Sequence, residues 1–156
     1  MSEADVVEIA DVPALRALVG AEPFVSGWHT VSEASVLGFA DATGDHQWIH
    51  VDAERARRES PFGGPIAHGF LTLSLVPALL QGTVKMRQRM GVNYGLNRVR
   101  FMTPVPVGGR LRGRMKLLSC EPIANEGVQM VWETTIELEG APKPACVAES
   151  VVRRYR

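Results

Sequence analysis

Residues 67–81 read as a helix without a polar face. Phe70, Leu71, Leu73, Leu75, Val76, Ala78, Leu79 and Leu80 leave almost no side of it for water. A helix that is apolar all round is stable only when other structure encloses it. Its apolar stretch is about half the ~20 residues a membrane span requires, so the enclosure has to be protein. Pro77 removes one backbone donor late in the stretch, which predicts a kink or an early end there. The following chain can supply the enclosure. Val128, Met130, Trp132, Thr134, Ile136 and Leu138 alternate with Gln129, Val131, Glu133, Thr135, Glu137 and Glu139. That is a period-two strand with one apolar and one largely polar face. Residues 93–102, 110–120 and 145–155 are further strand candidates. Pro104, Pro106, Gly108 and Gly109 mark one turn, and residues 122–127 another.

The first part of the chain reads as short helices and loops. Pro13 opens a small helix running to about Val19. Ser32 caps a helix carrying Ala34, Val36, Leu37, Phe39 and Ala40, which stops at Thr43-Gly44-Asp45. Asp52 caps a charged helix over residues 53–58. Helices first and strands later indicate an α+β class: an antiparallel sheet wrapped around one long apolar helix.

A length of 156 residues fits a single domain. The 17 cations balance the 17 acids, which argues against a globally basic nucleic-acid binder and an acidic-tail protein. The balance is uneven along the chain. Residues 67–120 hold nine cations and no acid. Such a run is either solvated strand faces or a patch that meets phosphates or an acidic carrier protein. Residues 1–10 carry Glu3, Asp5 and Glu8 without a cation, unlike a secretory signal. Cys120 and Cys146 form neither a disulfide framework nor a metal set, so a reducing cytoplasm is the expected compartment. No P-loop, dinucleotide fingerprint or Gly-x-Ser-x-Gly elbow occurs. No membrane or nucleic-acid partner is expected.

Chemistry concentrates in two segments. In Thr43-Gly44-Asp45-His46-Gln47-Trp48-Ile49-His50, Asp45 stands five residues before His50. In a tight loop the two can converge on one water, take a proton from it and return one elsewhere. The plainer reading is that Asp45 caps a turn and His50 packs locally. In Pro65-Ile66-Ala67-His68-Gly69, Gly69 enters the first turn of the apolar helix. Unpaired N–H groups there can hold a carbonyl oxygen that gains negative charge. The plainer reading is close packing of helix on sheet. A zinc site from His46, His50 and His68 fits no standard ligand spacing.

These segments together resemble a known family. Phe39-Ala40-Asp41-Ala42-Thr43-Gly44-Asp45-His46-Gln47-Trp48-Ile49-His50-Val51-Asp52 resembles the hydratase motif of the MaoC-like dehydratases, the (R)-specific enoyl-CoA hydratases. Pro65-Ile66-Ala67-His68-Gly69 resembles the start of their central helix. Phe101-Met102-Thr103-Pro104-Val105-Pro106-Val107-Gly108 is similar to their strand-turn segment. The resemblance runs from about Val31 to the C-terminus. Gln47-Trp48 in place of the more common Asn-Pro is similar to the small, single-domain, nodulation-protein-N-like branch.

The resemblance implies a hotdog fold over residues 1–156, with residues 1–20 an N-terminal extension outside the strong similarity. It implies syn addition of water to trans-2-enoyl thioesters, giving (R)-3-hydroxyacyl thioesters, or the reverse dehydration. The catalytic pair would be Asp45 and His50, and the oxyanion glycine Gly69. No metal or redox cofactor is needed. The substrate would be carried on coenzyme A or acyl carrier protein, and the protein would be a homodimer with its acyl tunnel near the subunit interface. Pro77 falls near a position where some hydratases carry an assisting polar side chain. Because one fold hosts several chemistries, an acyl-CoA thioesterase and a non-catalytic acyl-thioester-binding subunit of a dehydratase complex are the alternatives.

Overall fold

The computed structural model describes residues 6–87 and 90–155. In chain order the elements are β1 (Val7–Ile9), α1 (Val12–Ala17), β2 (Phe24–Val25), β3 (His29–Thr30), α2 (Glu33–Thr43), α3 (Trp48–Val51) and α4 (Ala53–Glu59). Then come α5 (Gly69–Ser74), α6 (Val76–Gln81), β4 (Val84–Met86), β5 (Met90–Phe101), β6 (Arg110–Ile123), β7 (Gly127–Leu138) and β8 (Cys146–Tyr155). The main sheet runs β2-β6-β7-β8-β5, with β3 also on β6. Its long neighbours pair antiparallel. β1 and β4 form a small parallel pair beside it.

The alternation read in β7 sets the core. Val128, Met130, Trp132, Thr134 and Ile136 are buried, together with Leu111, Met115 and Leu117 of β6. Leu71, Val76, Leu79 and Leu80 of the two central helices join the same core. Burying a large apolar side chain contributes about 1.5–3 kcal/mol, and this enclosure stabilises a helical segment that has no polar face. The architecture is the α+β hotdog expected from the sequence.

The central helix differs in one respect. It is two consecutive six-residue helices that meet at Leu75. Pro77 lies in the first turn of α6, where its missing N–H costs no helical hydrogen bond. The interruption therefore falls just before the proline.

The local caps follow the sequence. The Ser32 side chain accepts from the Ser35 N–H at 3.1 Å. Gly44 ends α2 in the left-handed region at φ 78°, and its N–H donates to the Ala40 carbonyl. Asp52 accepts from the Arg55 N–H at 2.9 Å. At the N-terminal side, Asp11 caps α1 and Leu15 reaches the core with 1% exposure. Both cysteines are free and buried, and burial pushes the Cys146 thiol up to about 11. Among the described residues no helix is long and apolar enough to cross a membrane.

The sheet pairs the three arginines of β6 in the basic run with later acids. Arg112 faces Glu137 across β6 and β7 and donates through Nε and Nη2 at 2.8 and 2.6 Å. Arg110 pairs with Glu139, and Arg114 approaches Glu137 at 3.8 Å. Acids from residue 121 onward thus return to the cations that precede them. Arg98 and Arg100 on β5, with Lys85 and Arg87, remain exposed and carry no ion pair among the described residues.

Candidate active site

Asp45 follows directly on the glycine that ends α2. Thr43 Oγ1 accepts from the Asp45 N–H at 3.4 Å, and Asp45 Oδ1 accepts from the Gln47 N–H at 3.4 Å. This is an Asx-type turn that leaves most of the carboxylate open to solvent. The chain then makes the single turn of α3, with His50 on its inner side. Trp48 occupies the first position of α3, a place where proline is equally well accommodated. The Gln-Trp departure from Asn-Pro is therefore compatible with the same turn. Arg55 stacks over Trp48 at 4.4 Å.

The second segment is fastened beside the first. The Ile66 N–H donates to the Ile49 carbonyl at 3.0 Å, and the Ala67 N–H to the Val105 carbonyl at 2.8 Å. Ile66 also bridges Pro106. This brings His68 under the Asp45 loop. His68 Nε2 donates to the Asp45 backbone carbonyl at 2.9 Å, and the His68 ring stacks on His50 with centroids 3.8 Å apart. Phe39 closes the other side of His68 at 5.0 Å.

Hydrogen bonding defines what each imidazole offers. A carbonyl only accepts, so His50 Nδ1 must donate to Ile66 O at 2.6 Å. In neutral His50 that leaves Nε2 as a free acceptor. Burial lowers the His50 pKa, and the neighbouring His68 adds to this; the Ile66 hydrogen bond and Asp45 oppose it. His68 is 2% exposed, and its Nδ1 has no hydrogen-bond partner.

The structure brings Asp45, His50 and His68 together: ligand-capable atoms of the three lie within 4.8 Å of one another. It does not bring His46 to them. His46 Nε2 bonds the Asp41 carboxylate at 2.9 Å, which raises its pKa. The histidine set considered from spacing is thus replaced by one with Asp45 in place of His46. Its His68 Nε2 is already committed to a carbonyl. In the sequence His68 stood out only as a possible zinc ligand with His46 and His50; its contact with the Asp45 carbonyl and the His50 ring had no local signal.

Gly69 is the first residue of α5, so its N–H lies outside the helix's own hydrogen-bond ladder. It follows directly on His68, whose ring stacks on His50. Because α5 has only six residues, the local orphan N–H groups supply its electrostatic effect, with little from a long macrodipole. A Cβ at Gly69 would stand 3.2 Å from the Phe101 ring, so a larger residue there would require that ring to shift by a few tenths of an ångström. One turn further on, Leu73 and Ser74 open an apolar groove of about 480 Å³. The groove runs between α5–α6 and strands β5 and β8. Its size is ordinary for a small-molecule site.

Comparisons with known proteins give one consistent result. Residues 15–138 match the family model described as a MaoC like domain. The chain belongs to the MaoC-like family. A member from Mycobacterium tuberculosis, 3-hydroxyacyl-thioester dehydratase Z, is 51% identical over 140 residues, covering 89% of this chain and 92% of that protein. Nodulation protein N of Rhizobium leguminosarum bv. viciae is 50% identical over 144 residues, covering 91% and 88%. In fold, the MaoC-like chain is similar to the R-hydratase PhaJ1 from Pseudomonas aeruginosa. The TM-score is 0.67 at 24% identity, covering 88% of this chain and 82% of that one.

Proposed function

We propose that this MaoC-like protein is an (R)-specific enoyl-thioester hydratase, acting reversibly as a 3-hydroxyacyl-thioester dehydratase. The observation that carries this reading is the convergence of the Asp45 carboxylate on His50, whose Nδ1 is tied to Ile66. Asp45 and the free Nε2 of His50 hold one water against C3 of the enoyl chain. As the water oxygen bonds to C3, the pair takes up one of its protons. A proton from the same pair goes to C2 on the same face, so water is added syn and nothing else is consumed. The Gly69 N–H donates to the thioester oxygen while it carries enolate charge. His68 holds the Asp45 backbone and stacks under His50. The relatives named as a 3-hydroxyacyl-thioester dehydratase and an R-hydratase support the same reaction class.

The active unit in this reading is a homodimer. β5 lies at the edge of the sheet and exposes Met90, Val92, Tyr94 and Leu96, at 40–58% exposure. A long apolar edge left open invites pairing with another strand. A second copy of β5 would continue the sheet and cover the groove beside α5–α6.

The test is loss of the conjugated enoyl absorbance with trans-2-enoyl substrates over a chain-length series, on coenzyme A and on acyl carrier protein. Hydration without release of free thiol supports the reading. Thiol release without hydration identifies a thioesterase, and binding without either reaction identifies a non-catalytic subunit.

Two results are expected from the charge layout. First, kcat/KM falls on the acid side with a midpoint below the ordinary histidine value of about 6.5, because His50 is held below it and works as the neutral base. Removing Asp45, which raises the His50 pKa, moves any residual limb to still lower pH. A pH–rate profile reads both. Second, Arg98 and Arg100 lie on β5 close to Phe101, the residue packed on Gly69. In this reading they meet the coenzyme A phosphates. KM for coenzyme A substrates should rise strongly with salt, and the double substitution Arg98→Ala/Arg100→Ala should flatten that dependence. A salt-independent KM in the unmodified protein would contradict this role.

A further inference from the structure

The groove beside the central helices ends on a charge. Arg154 is on β8, which places its side chain on the inward face of the sheet after Cys146, Ala148 and Ser150. It is 8% exposed, and its Nε has no hydrogen-bond partner. No ion pair or hydrogen bond to Arg154 occurs among the described residues. Its neighbour Arg153, by contrast, donates to Gln129 and lies over Tyr94. Arg154 lines the apolar groove and also a second cavity of about 850 Å³, whose wall includes Lys85, Arg87 and Glu8. The Arg154 side chain therefore borders both the apolar groove and a second cavity that carries Lys85 and Arg87.

A buried cation without a partner is costly, and hydrophobic replacement at such a site is often neutral or stabilising. An arginine's planar fork matches a carboxylate through two parallel hydrogen bonds. The groove also has a direction. Its near end, Leu73, is one turn from Gly69 on the same side of the helix. Its far end is marked by Gln81, with Arg154 of β8 beside it; an unbroken helix would put Gln81 about 18 Å from Gly69, and the break at Leu75 can only shorten this. An extended chain advances about 1.2 Å per bond, so roughly 15 chain atoms span that distance.

We propose that Arg154 is a carboxylate-recognising subsite at the far end of the acyl groove, selecting long enoyl thioesters that end in a carboxylate over those that end in a methyl. The inference rests on the hydratase reading for the identity of the groove's occupant. The groove walls hold the methylene chain by apolar contact. Arg154 binds the terminal carboxylate, which supplies an anion that no described residue gives the guanidinium. The flanking Lys85 and Arg87 favour entry of a negative end from the second cavity.

The test uses the full chain and a matched pair of trans-2-enoyl-CoA substrates of about 14–16 carbons, one ending in methyl and one in carboxylate. The unmodified protein should favour the carboxylate-ended substrate at least tenfold in kcat/KM, and Arg154→Met should abolish that preference. Free protein carrying Arg154→Met should melt no lower than the unmodified protein, because an unpaired buried charge has been removed. Three results would overturn the proposal. The first is a preference for the methyl-ended chain. The second is an equal loss on both substrates, which would place Arg154 on the coenzyme A phosphates. The third is a lower melting temperature with the preference intact, which would make the guanidinium structural. If neither substrate is hydrated, the hydratase reading is at fault. Thermal shifts with free long-chain dicarboxylic and monocarboxylic acids then still decide the subsite, since only the diacid should stabilise the unmodified protein more than the variant.

Discussion

Asp45→Asn and His50→Gln are each expected to slow hydration of crotonyl-CoA by roughly 10²–10⁴-fold, the range for loss of a general acid–base group. The two substitutions act differently. Asp45 is exposed, and Asn can still accept from the Gln47 N–H at the same turn. Its folded state should be unchanged, while the carboxylate that shares the proton is gone. Gln at 50 can still donate to the Ile66 carbonyl, but it has no imidazole Nε2 and no ring to stack on His68. Some loss of stability is expected there, of order 1 kcal/mol. If the two side chains act on one water, the double variant should be little worse than the slower single one. Independent, multiplicative losses would mean that the residues serve separate steps. Retained rates in both singles would remove the pair from the mechanism.

Met90→Asp/Val92→Asp is expected to convert a dimer into monomers. Both side chains are exposed on β5, at 50% and 40%, and neither belongs to the catalytic cluster. Carboxylates placed there would have to be buried unpaired when two β5 edges join. An uncompensated buried charge costs about 3 kcal/mol or more, which weakens association at least ~100-fold. In the monomer the same groups are hydrated, so folding should survive. Light scattering reads the mass directly. A variant that remains dimeric would place the contact on another surface, and an unmodified protein that is monomeric would remove the homodimer altogether. If the second copy covers the acyl groove, the monomer should also lose activity toward long chains more than toward crotonyl-CoA.

How much of this was legible in the sequence depends on whether the cause is local. The Ser32 and Asp52 caps, the Gly44 stop and the alternation along β7 are set by neighbours within a few residues, and they appear where the sequence places them. The strands β1 to β4 were not legible. Each has two or three residues and exists only because a distant strand lies beside it. The split of the central helix at Leu75 follows from Pro77, but its position depends on how α5 and α6 pack against the sheet. The basic run from 67 to 120 looked like a patch because the acids that neutralise β6 arrive later, on β7. Only the antiparallel register brings Arg112 opposite Glu137.

The candidate site shows the same division. The nearness of Asp45 to His50 could be anticipated from their five-residue spacing in one loop, whereas the roles of Asp45, His50 and Gly69 came from the family resemblance and not from the spacing. His68 was read only as a metal-ligand candidate. Its stacking on His50 and its bond to the Asp45 carbonyl require the segment at 65–69 to be drawn beside α3 by the Ile66–Ile49 hydrogen bond. Arg154 was hidden for a related reason. Near the C-terminus it looks like one of several exposed cations, and only the inward alternation of β8 turns it into the groove.

The central claim is that one water, held by Asp45 and His50, is added to the enoyl double bond from one face. Hydration of crotonyl-CoA in deuterium oxide, with the configuration of the product determined at C2 and C3, tests it most directly. The expected product is (R)-3-hydroxybutyryl-CoA with deuterium at C2 delivered syn to the hydroxyl, and no free thiol. An (S) product, anti delivery, or release of coenzyme A in place of hydration would contradict it.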